Sequence, residues 1–173
     1  MLRSMLRSML NRLLTVTALL IGLAFAAAAE EETFVTFKVL TLETALELAE
    51  ATLGDCRQRG FQVAVSVVDR FGNVQVTLRD RFAGPHTPET ARRKAWTAVS
   101  FGTDTLTLSE LTQPGRPEFG IRSVAEAIML PGGVPVRAAG SIVAGIGVSG
   151  ASPEMDDACA RAGIEAITDK LNF

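Results

Sequence analysis

The chain has 173 residues, with 17 lysines and arginines against 19 aspartates and glutamates and a formal net charge of −2. This balance excludes a global electrostatic attraction to nucleic acid, which requires a surplus of cations. With 47% hydrophobic residues and no internal repeat, the chain can form the core of one globular domain.

The first 29 residues show the parts of a secretory signal peptide. Its positive start consists of Arg3, Arg7 and Arg12. An apolar run then extends to Ala28 and falls short of the roughly 20 residues that a membrane-spanning helix needs. Small residues end the run, and acidic residues follow from Glu30. We therefore expect cleavage after Ala29, giving a periplasmic or secreted protein with no membrane segment.

Removal of this leader leaves 144 residues, from 173 minus 29. The loss of three arginines gives 14 basic against 19 acidic residues, a net charge near −5. We expect residues 30–40 to be an N-terminal extension and residues 41–173 to form a single domain.

The domain begins with signals for a helix and a hairpin. Thr41 is a good N-cap, and apolar residues at helical spacing predict a helix from there to about Arg59. Residues 61–69 and 74–79 alternate across a turn at Gly72, which predicts a β-hairpin.

A similar order follows along the rest of the chain. The patterns predict helices at 87–102, 104–113, 120–130 and 152–171, and a second hairpin from strands 134–137 and 142–148. Two hairpins separated by helices predict an α+β fold, in which helices pack against a central antiparallel sheet.

The stretch from Gly84 to Ala98 contains the only histidine and the only tryptophan, His86 and Trp96. Thr87 is a good N-cap and Pro88 suits the first helical position, which would place His86 just outside a helix N-terminus. The partial positive charge there favours the neutral imidazole that a metal ligand requires. The alternative is that a lone histidine in a loop is only a polar surface residue.

A cationic cluster follows on the same predicted helix. Arg92, Arg93 and Lys94 can pair with the carboxylates of a ligand, although Glu89 can also neutralise part of a solvated helix face. Trp96 or Phe82 can contact a flat apolar group. A neutral nitrogen ligand, cations and an aromatic side chain together suit haem.

Three further patterns have structural and functional interpretations. Gly145 to Gly150 spells G-x-G-x-x-G, but no strand can follow the last helix, so close packing is favoured over nucleotide binding. Cys56 and Cys159 are the only cysteines, and export favours a disulfide between them over two buried thiols. We find no nucleophile elbow that would make His86 part of a hydrolase triad, so an enzyme is only weakly supported.

Several stretches between Leu40 and Ile167 resemble the GlcG/HbpS-like family of haem-binding proteins, whose domain also ends PduO-type cobalamin adenosyltransferases. They are Leu42–Ala45, Val65–Asp69, His86–Ala98, Leu130–Val136 and Gly145–Gly150. The resemblance implies an α+β fold with an antiparallel sheet of about five strands flanked by helices. It also implies a homo-oligomer, in which the glycine motif is structural.

The resemblance and the residues together predict an exported haem-binding protein for sensing or sequestration. Its haem iron would be bound by His86, and its binding residues would be His86, Thr87, Arg92, Arg93, Lys94 and Trp96. Two alternatives stay open. One is an enzyme or accessory protein acting on a small organic acid, and the other is a corrinoid-binding module.

Overall fold

A computed structural model describes residues 33–172. The signal peptide predicted for residues 1–29 therefore lies outside the described residues.

The five α-helices of the described part are α1 Leu42–Gln58, α2 Thr87–Phe101, α3 Thr105–Leu111, α4 Pro153–Ala166 and α5 Thr168–Leu171. The four strands are β1 Ala64–Asp69, β2 Val74–Arg79, β3 Gly133–Ala138 and β4 Ser141–Ser149. A 3-10 helix spans Pro117–Ser123. None of the described helices is long and apolar enough to cross a bilayer.

The strands form one antiparallel sheet in the order β2-β1-β4-β3. The described residues therefore contain four strands where about five were expected, while the α+β class and the antiparallel sheet are confirmed. Both predicted hairpins are present, and β1 and β4 bring them together in the middle of the sheet. β1 begins at Ala64 instead of residue 61.

Helices cover both faces of this sheet. Helices α1 and α4 lie over one face, where aliphatic side chains form the main core. The most deeply buried of these side chains include Leu48, Val65, Val67, Ile146 and Val148. Helix α2 lies over the opposite face, against β4 and β1.

The glycines of the G-x-G-x-x-G motif allow α2 to approach β4 closely, as expected from the sequence. A Cβ atom at Gly147 would clash with the backbone carbonyl of Ala91, and one at Gly145 would lie 2.9 Å from the carbonyl oxygen of Ala95. Ala91 and Ala95 are fully buried here. The small residues of α2 therefore pack within the chain.

The Cys56–Cys159 disulfide is present, as predicted. It joins α1 to α4 with Cα atoms 5.5 Å apart and 103 positions apart in sequence. Thr41 is the N-cap of α1, as predicted, and its side chain accepts a hydrogen bond from a backbone N–H. Asp104 and Ser152 cap α3 and α4 in the same way.

Two local predictions were wrong. Thr87 is not the N-cap of α2: the cap position is His86, and the Thr87 hydroxyl donates to the Gly84 carbonyl at 2.8 Å. Residues 120–130 do not form an α-helix, because the chain makes the short 3-10 helix and then turns through residues 124–127. In that segment, the Arg93 side chain of α2 donates to backbone carbonyls that a helix would use internally.

Candidate functional site

A cleft of about 340 Å³ opens at the N-terminal end of α2. Its walls come from the loop before α2, the segment before β3 and the start of α4. Its lining includes Phe82, His86, Thr87, Lys94, Leu130 and Asp156. The cleft therefore brings together His86, Thr87 and Lys94 from the residues predicted to bind a ligand.

His86 is exposed at the rim of this cleft. Its backbone carbonyl accepts from the backbone N–H and the hydroxyl of Thr90, at 3.1 and 3.0 Å. The imidazole itself makes no hydrogen bond to any of residues 33–172. The ring also lies close over Gly84, where an added Cβ would come within 2.8 Å of it. The local backbone thus fixes His86 and leaves its ring nitrogens available to a ligand.

Apolar side chains lie beside this imidazole. The Phe82 side chain is 79% exposed and Leu130 is 46% exposed, although both are large and hydrophobic. Ile128 adds a half-buried aliphatic wall. Apolar walls with a few polar groups are typical of small-molecule sites.

Lys94 and Asp156 form a buried ion pair in the same cleft. The Lys94 Nζ lies 2.8 Å from Asp156 Oδ2 and donates to the Val148 carbonyl at 2.9 Å. Asp156 Oδ1 accepts from the backbone N–H of Ala151 at 3.0 Å. Burial lowers the pKa of Lys94 and raises the pKa of Asp156, and the charge of each partner works against that effect. The pair connects α2 to β4 and α4, so it holds the cleft together.

The other predicted binding residues of α2 lie outside this cleft. Arg92 donates to Glu89 at 2.7 Å and to Glu126 at 2.6 Å, and its hydrogen bonds to these carboxylates raise its pKa. Arg93 donates to the backbone carbonyls of residues 125–127, at distances of 2.8 to 3.2 Å. Both guanidiniums thus bind the segment that precedes the cleft wall.

Trp96 is also engaged within the fold. It packs against a small cluster of Leu108, Ala127 and Met129. Its indole ring also lies beside Gly72 in the β1–β2 turn. Trp96 therefore packs within the fold and is not part of the cleft lining.

A second, more basic cleft of about 580 Å³ adjoins the first. It is lined by Arg57, Arg79, Asp80 and Arg81, and it shares Gln62 and Phe82 with the His86 cleft. The sequence analysis missed these arginines, because α1 and the end of β2 are far apart along the chain. The run Arg79-Asp80-Arg81 at the end of a predicted strand was the available signal.

The residues of the His86 cleft fit a haem better than a bare metal ion. Residues 33–172 contain no group of three or more His, Cys, Asp or Glu side chains that could hold a metal ion. A haem brings four of its own nitrogen ligands and needs from the protein an axial ligand and apolar contact. His86 and Phe82 present both at one rim.

Comparison with known proteins assigns the family. Residues 40–165 match the family described as "Haem degrading protein HbpS-like". The chain belongs to the HbpS-like family. Corrinoid adenosyltransferase PduO of Salmonella typhimurium is 36% identical over 123 residues, which are 70% of this chain and 37% of PduO. The PduO of Citrobacter freundii is 32% identical over 130 residues, 39% of its length. This HbpS-like chain thus spans about two fifths of the length of these curated relatives.

Solved structures share the whole HbpS-like fold. A double mutant of HbpS from Streptomyces reticuli is 40% identical with a TM-score of 0.73, over 82% of this chain and 95% of that one. The structure called the PduOC:Heme complex is 34% identical with a TM-score of 0.71, over 75% of this chain and 95% of that one. The expected family and its α+β arrangement are therefore confirmed.

Proposed function

We propose that this protein binds haem at the cleft beside His86, with His86 as the axial ligand of the iron. The observation that carries the proposal is an exposed imidazole without an internal hydrogen bond, next to exposed apolar side chains. The HbpS-like family and the similarity to a haem complex of PduOC support haem as the ligand. When bound, haem would supply the iron centre, and the chain's own residues would position it.

Each residue of the cleft has a role in this proposal. His86 would hold the iron through a ring nitrogen, and Phe82 and Leu130 would cover part of the porphyrin face. Thr87 would contribute indirectly, because its hydroxyl donates to the carbonyl of Gly84, the residue against which the imidazole lies. The site is open on one side, which suits a protein that senses or sequesters haem and exchanges it with a partner.

The test is an optical titration of the protein with hemin. We expect saturable binding with a Soret band, and loss or displacement of that band in His86→Gly. Free imidazole added to His86→Gly should restore the band, because it can occupy the space that the side chain leaves. Circular dichroism and elution volume of the variant should match those of the parent.

The outcomes distinguish whether the protein binds haem from whether His86 is the axial ligand of the iron. If the parent shows no saturable hemin binding, the haem function is wrong. If His86→Gly binds hemin with an unchanged spectrum, the function stands and another residue is the axial ligand.

A corrinoid is the second candidate ligand, favoured by the identity to the corrinoid adenosyltransferase PduO. A corrinoid is also a flat macrocycle whose metal accepts an axial nitrogen, so the same His86 could bind it. Titration with cobalamin under the same conditions distinguishes the two. Spectral changes with cobalamin and none with hemin would favour this function over haem binding.

We also propose that the protein is exported. The signal-peptide pattern of residues 1–29 motivates this, and the Cys56–Cys159 disulfide supports it, because disulfides persist in oxidising compartments. Amino-terminal sequencing of periplasmic or secreted material should begin at or near Glu30. Recovery of intact Met1 on a membrane-bound product would contradict export.

We propose, finally, that the protein forms a homo-oligomer. The buried alanines of α2 pack against the sheet of the same chain, so they are not available to a second copy. Exposed apolar residues around the β1–β2 turn and in the segment that leads into α1 offer another surface, formed by Phe37, Val39, Leu42, Phe71 and Val74. Light scattering at micromolar concentration should give a multiple of the monomer mass, and a monomer would contradict this proposal.

A further inference from the structure

Three arginines converge on the cleft next to His86. Arg57 comes from the end of α1, Arg79 from the end of β2 and Arg81 from the loop that follows. Phe82 and Gln62 line both this basic cleft and the His86 cleft. A ligand in contact with Phe82 can therefore reach both clefts.

Two of the guanidiniums are held in place before any ligand arrives. Arg57 donates its Nε and Nη2 to Asp80 Oδ1 at 2.9 and 2.5 Å. The Asp80 side chain is only 5% exposed, and its other oxygen accepts from the backbone N–H of Val63 at 3.4 Å. Arg79 donates Nε at 3.1 Å, and also Nη2, to the Ala83 carbonyl. Such fixed guanidiniums bind an anion at a smaller entropic cost than freely rotating ones.

The third guanidinium is available. Arg81 is exposed, and its side chain makes no hydrogen bond or ion pair to the rest of residues 33–172. Around the cleft, three cations face one carboxylate, a balance of +2 from 3 minus 1. That carboxylate belongs to Asp80, which is buried and already engaged by Arg57 and Val63. The cleft therefore has an unmatched positive charge and unused N–H donors.

We propose that Arg57, Arg79 and Arg81 form a carboxylate-binding subsite adjoining the His86 cleft. Asp80 is a positioning residue, which acts by holding Arg57. Guanidinium groups bind carboxylates through paired, charge-assisted hydrogen bonds. The carboxylates can come from two sources, the propionates of a haem at His86 or a free organic acid. The first source rests on the proposed haem function, whereas the second does not.

This subsite replaces the role that the sequence suggested for Arg92 and Arg93. Those two guanidiniums already bind Glu89, Glu126 and the backbone of residues 125–127. They also line neither cleft, whereas Arg57, Arg79 and Arg81 line the basic one and Arg81 has unused donors.

The test compares hemin with hemin dimethyl ester, whose carboxylates are blocked, on the parent protein and on Arg81→Gln. Arg116→Gln is the matched control, because Arg116 is also exposed and its side chain has no partner among residues 33–172. Arg81→Gln should weaken hemin binding by roughly three- to tenfold, as expected for a charge-assisted bond at an exposed site. The ester should bind the parent more weakly by a similar factor, and Arg81→Gln should not weaken it further. Arg116→Gln should change neither titration.

Two results would exclude the haem propionates as ligands of the subsite while leaving the haem function intact, and succinate binding measured by calorimetry then decides the subsite. The first is equal hemin affinity of the parent and Arg81→Gln. The second is equal weakening of hemin and its ester by Arg81→Gln, which would exclude the propionates as the contact.

If the parent binds no hemin, the haem function fails and succinate tests the subsite by itself. Calorimetry should then show succinate binding to the parent, weakened in Arg81→Gln and unchanged in Arg116→Gln. That result would support the subsite with a free acid as its ligand. Absence of succinate binding to the parent would overturn it.

Discussion

The two helix layers that cover the sheet are held in different ways. Helices α1 and α4 pack over one face through aliphatic side chains, with one disulfide between them. Helix α2 packs over the other face with its alanines against the glycines of β4, so that the backbones of the helix and the strand are in close contact. It is fixed further by directional bonds, of which the Lys94–Asp156 pair is the most buried.

This difference shows how the fold separates stability from site geometry. Burial of apolar area is non-directional, so the α1 and α4 layer gains stability without requiring one orientation. Hydrogen bonds and close backbone contacts fix an orientation, and α2 carries His86 at its first turn. The directional layer is the one that carries His86. The variants below test this contrast, from the largest expected effect to the smallest.

Breaking the buried ion pair should have the largest effect. Asp156→Ala leaves the Lys94 ammonium buried without its carboxylate, and we expect a loss of about 3–5 kcal/mol in the free energy of unfolding. Urea denaturation followed by circular dichroism measures this. Glu89→Ala is the control, because it removes an exposed partner of Arg92 and should cost no more than about 1 kcal/mol. Equal losses in the two variants would contradict a structural role for the buried pair.

Removing the disulfide should destabilise the opposite layer. The double variant Cys56→Ala, Cys159→Ala removes the link that closes a long loop in the unfolded chain. We expect the free energy of unfolding to fall by about 2–4 kcal/mol. Denaturation of the parent with and without dithiothreitol should give a similar difference. The hemin spectrum of the double variant should be unchanged, since the proposed iron ligand His86 lies at the start of α2 and not in the two helices that the disulfide joins. A changed spectrum would show that the two layers are not independent.

A methyl group between α2 and β4 tests the close approach. Gly147→Ala places a Cβ against the backbone of Ala91, where no side chain can move aside, and we expect a loss of about 1–3 kcal/mol. Gly54→Ala is the matched control in α1, because open space surrounds that position. Gly54→Ala should raise the free energy of unfolding by about 0.5–1 kcal/mol, because alanine favours the helical conformation more than glycine does. A neutral Gly147→Ala would contradict backbone-to-backbone packing.

The smallest effect is expected at Thr97 in α2. Its buried hydroxyl donates to the Arg93 carbonyl at 2.7 Å and accepts from the Ile128 N–H at 3.0 Å. Thr97→Val leaves that N–H without its partner and should cost about 1 kcal/mol. Thr168→Val, at an exposed hydroxyl in α5, should be close to neutral when both are measured by thermal unfolding. Similar melting temperatures for the two variants would show that the Ile128 contact contributes little.

Most of the fold could be predicted from the sequence because its signals are local. The N-caps Thr41, Asp104 and Ser152 mark helix starts through bonds to residues three positions ahead. The two hairpins follow from alternation around tight turns, one of which has Ala139 and Gly140 at positive φ. The Thr87 cap failed for an equally local reason, because its hydroxyl bonds backwards to Gly84.

The candidate site was only partly predictable because its contacts are long-range. His86 could be singled out by its place before a helix, which the structure keeps. Glu89 could be expected as a partner of Arg92 because it lies three positions away. The other partners of Arg92 and Arg93 lie more than 30 positions along the chain, in a segment whose pattern resembled a helix. Arg57 and Asp80 are 23 positions apart, and no spacing rule connects an α1 residue to a strand end.

The pairing of the first and last long helices has a consequence for how the chain reaches this state. β1 needs β4 as its second neighbour in the sheet. Cys56 can form its disulfide only once Cys159, 103 positions later in the sequence, is present. Folds dominated by such distant contacts form slowly, because loop closure precedes the gain from packing. Since the sequence has only two cysteines, oxidation has a single intramolecular product and needs no reshuffling. Docking of α4 is therefore expected to be a late event, which a chain still emerging from the ribosome cannot reach.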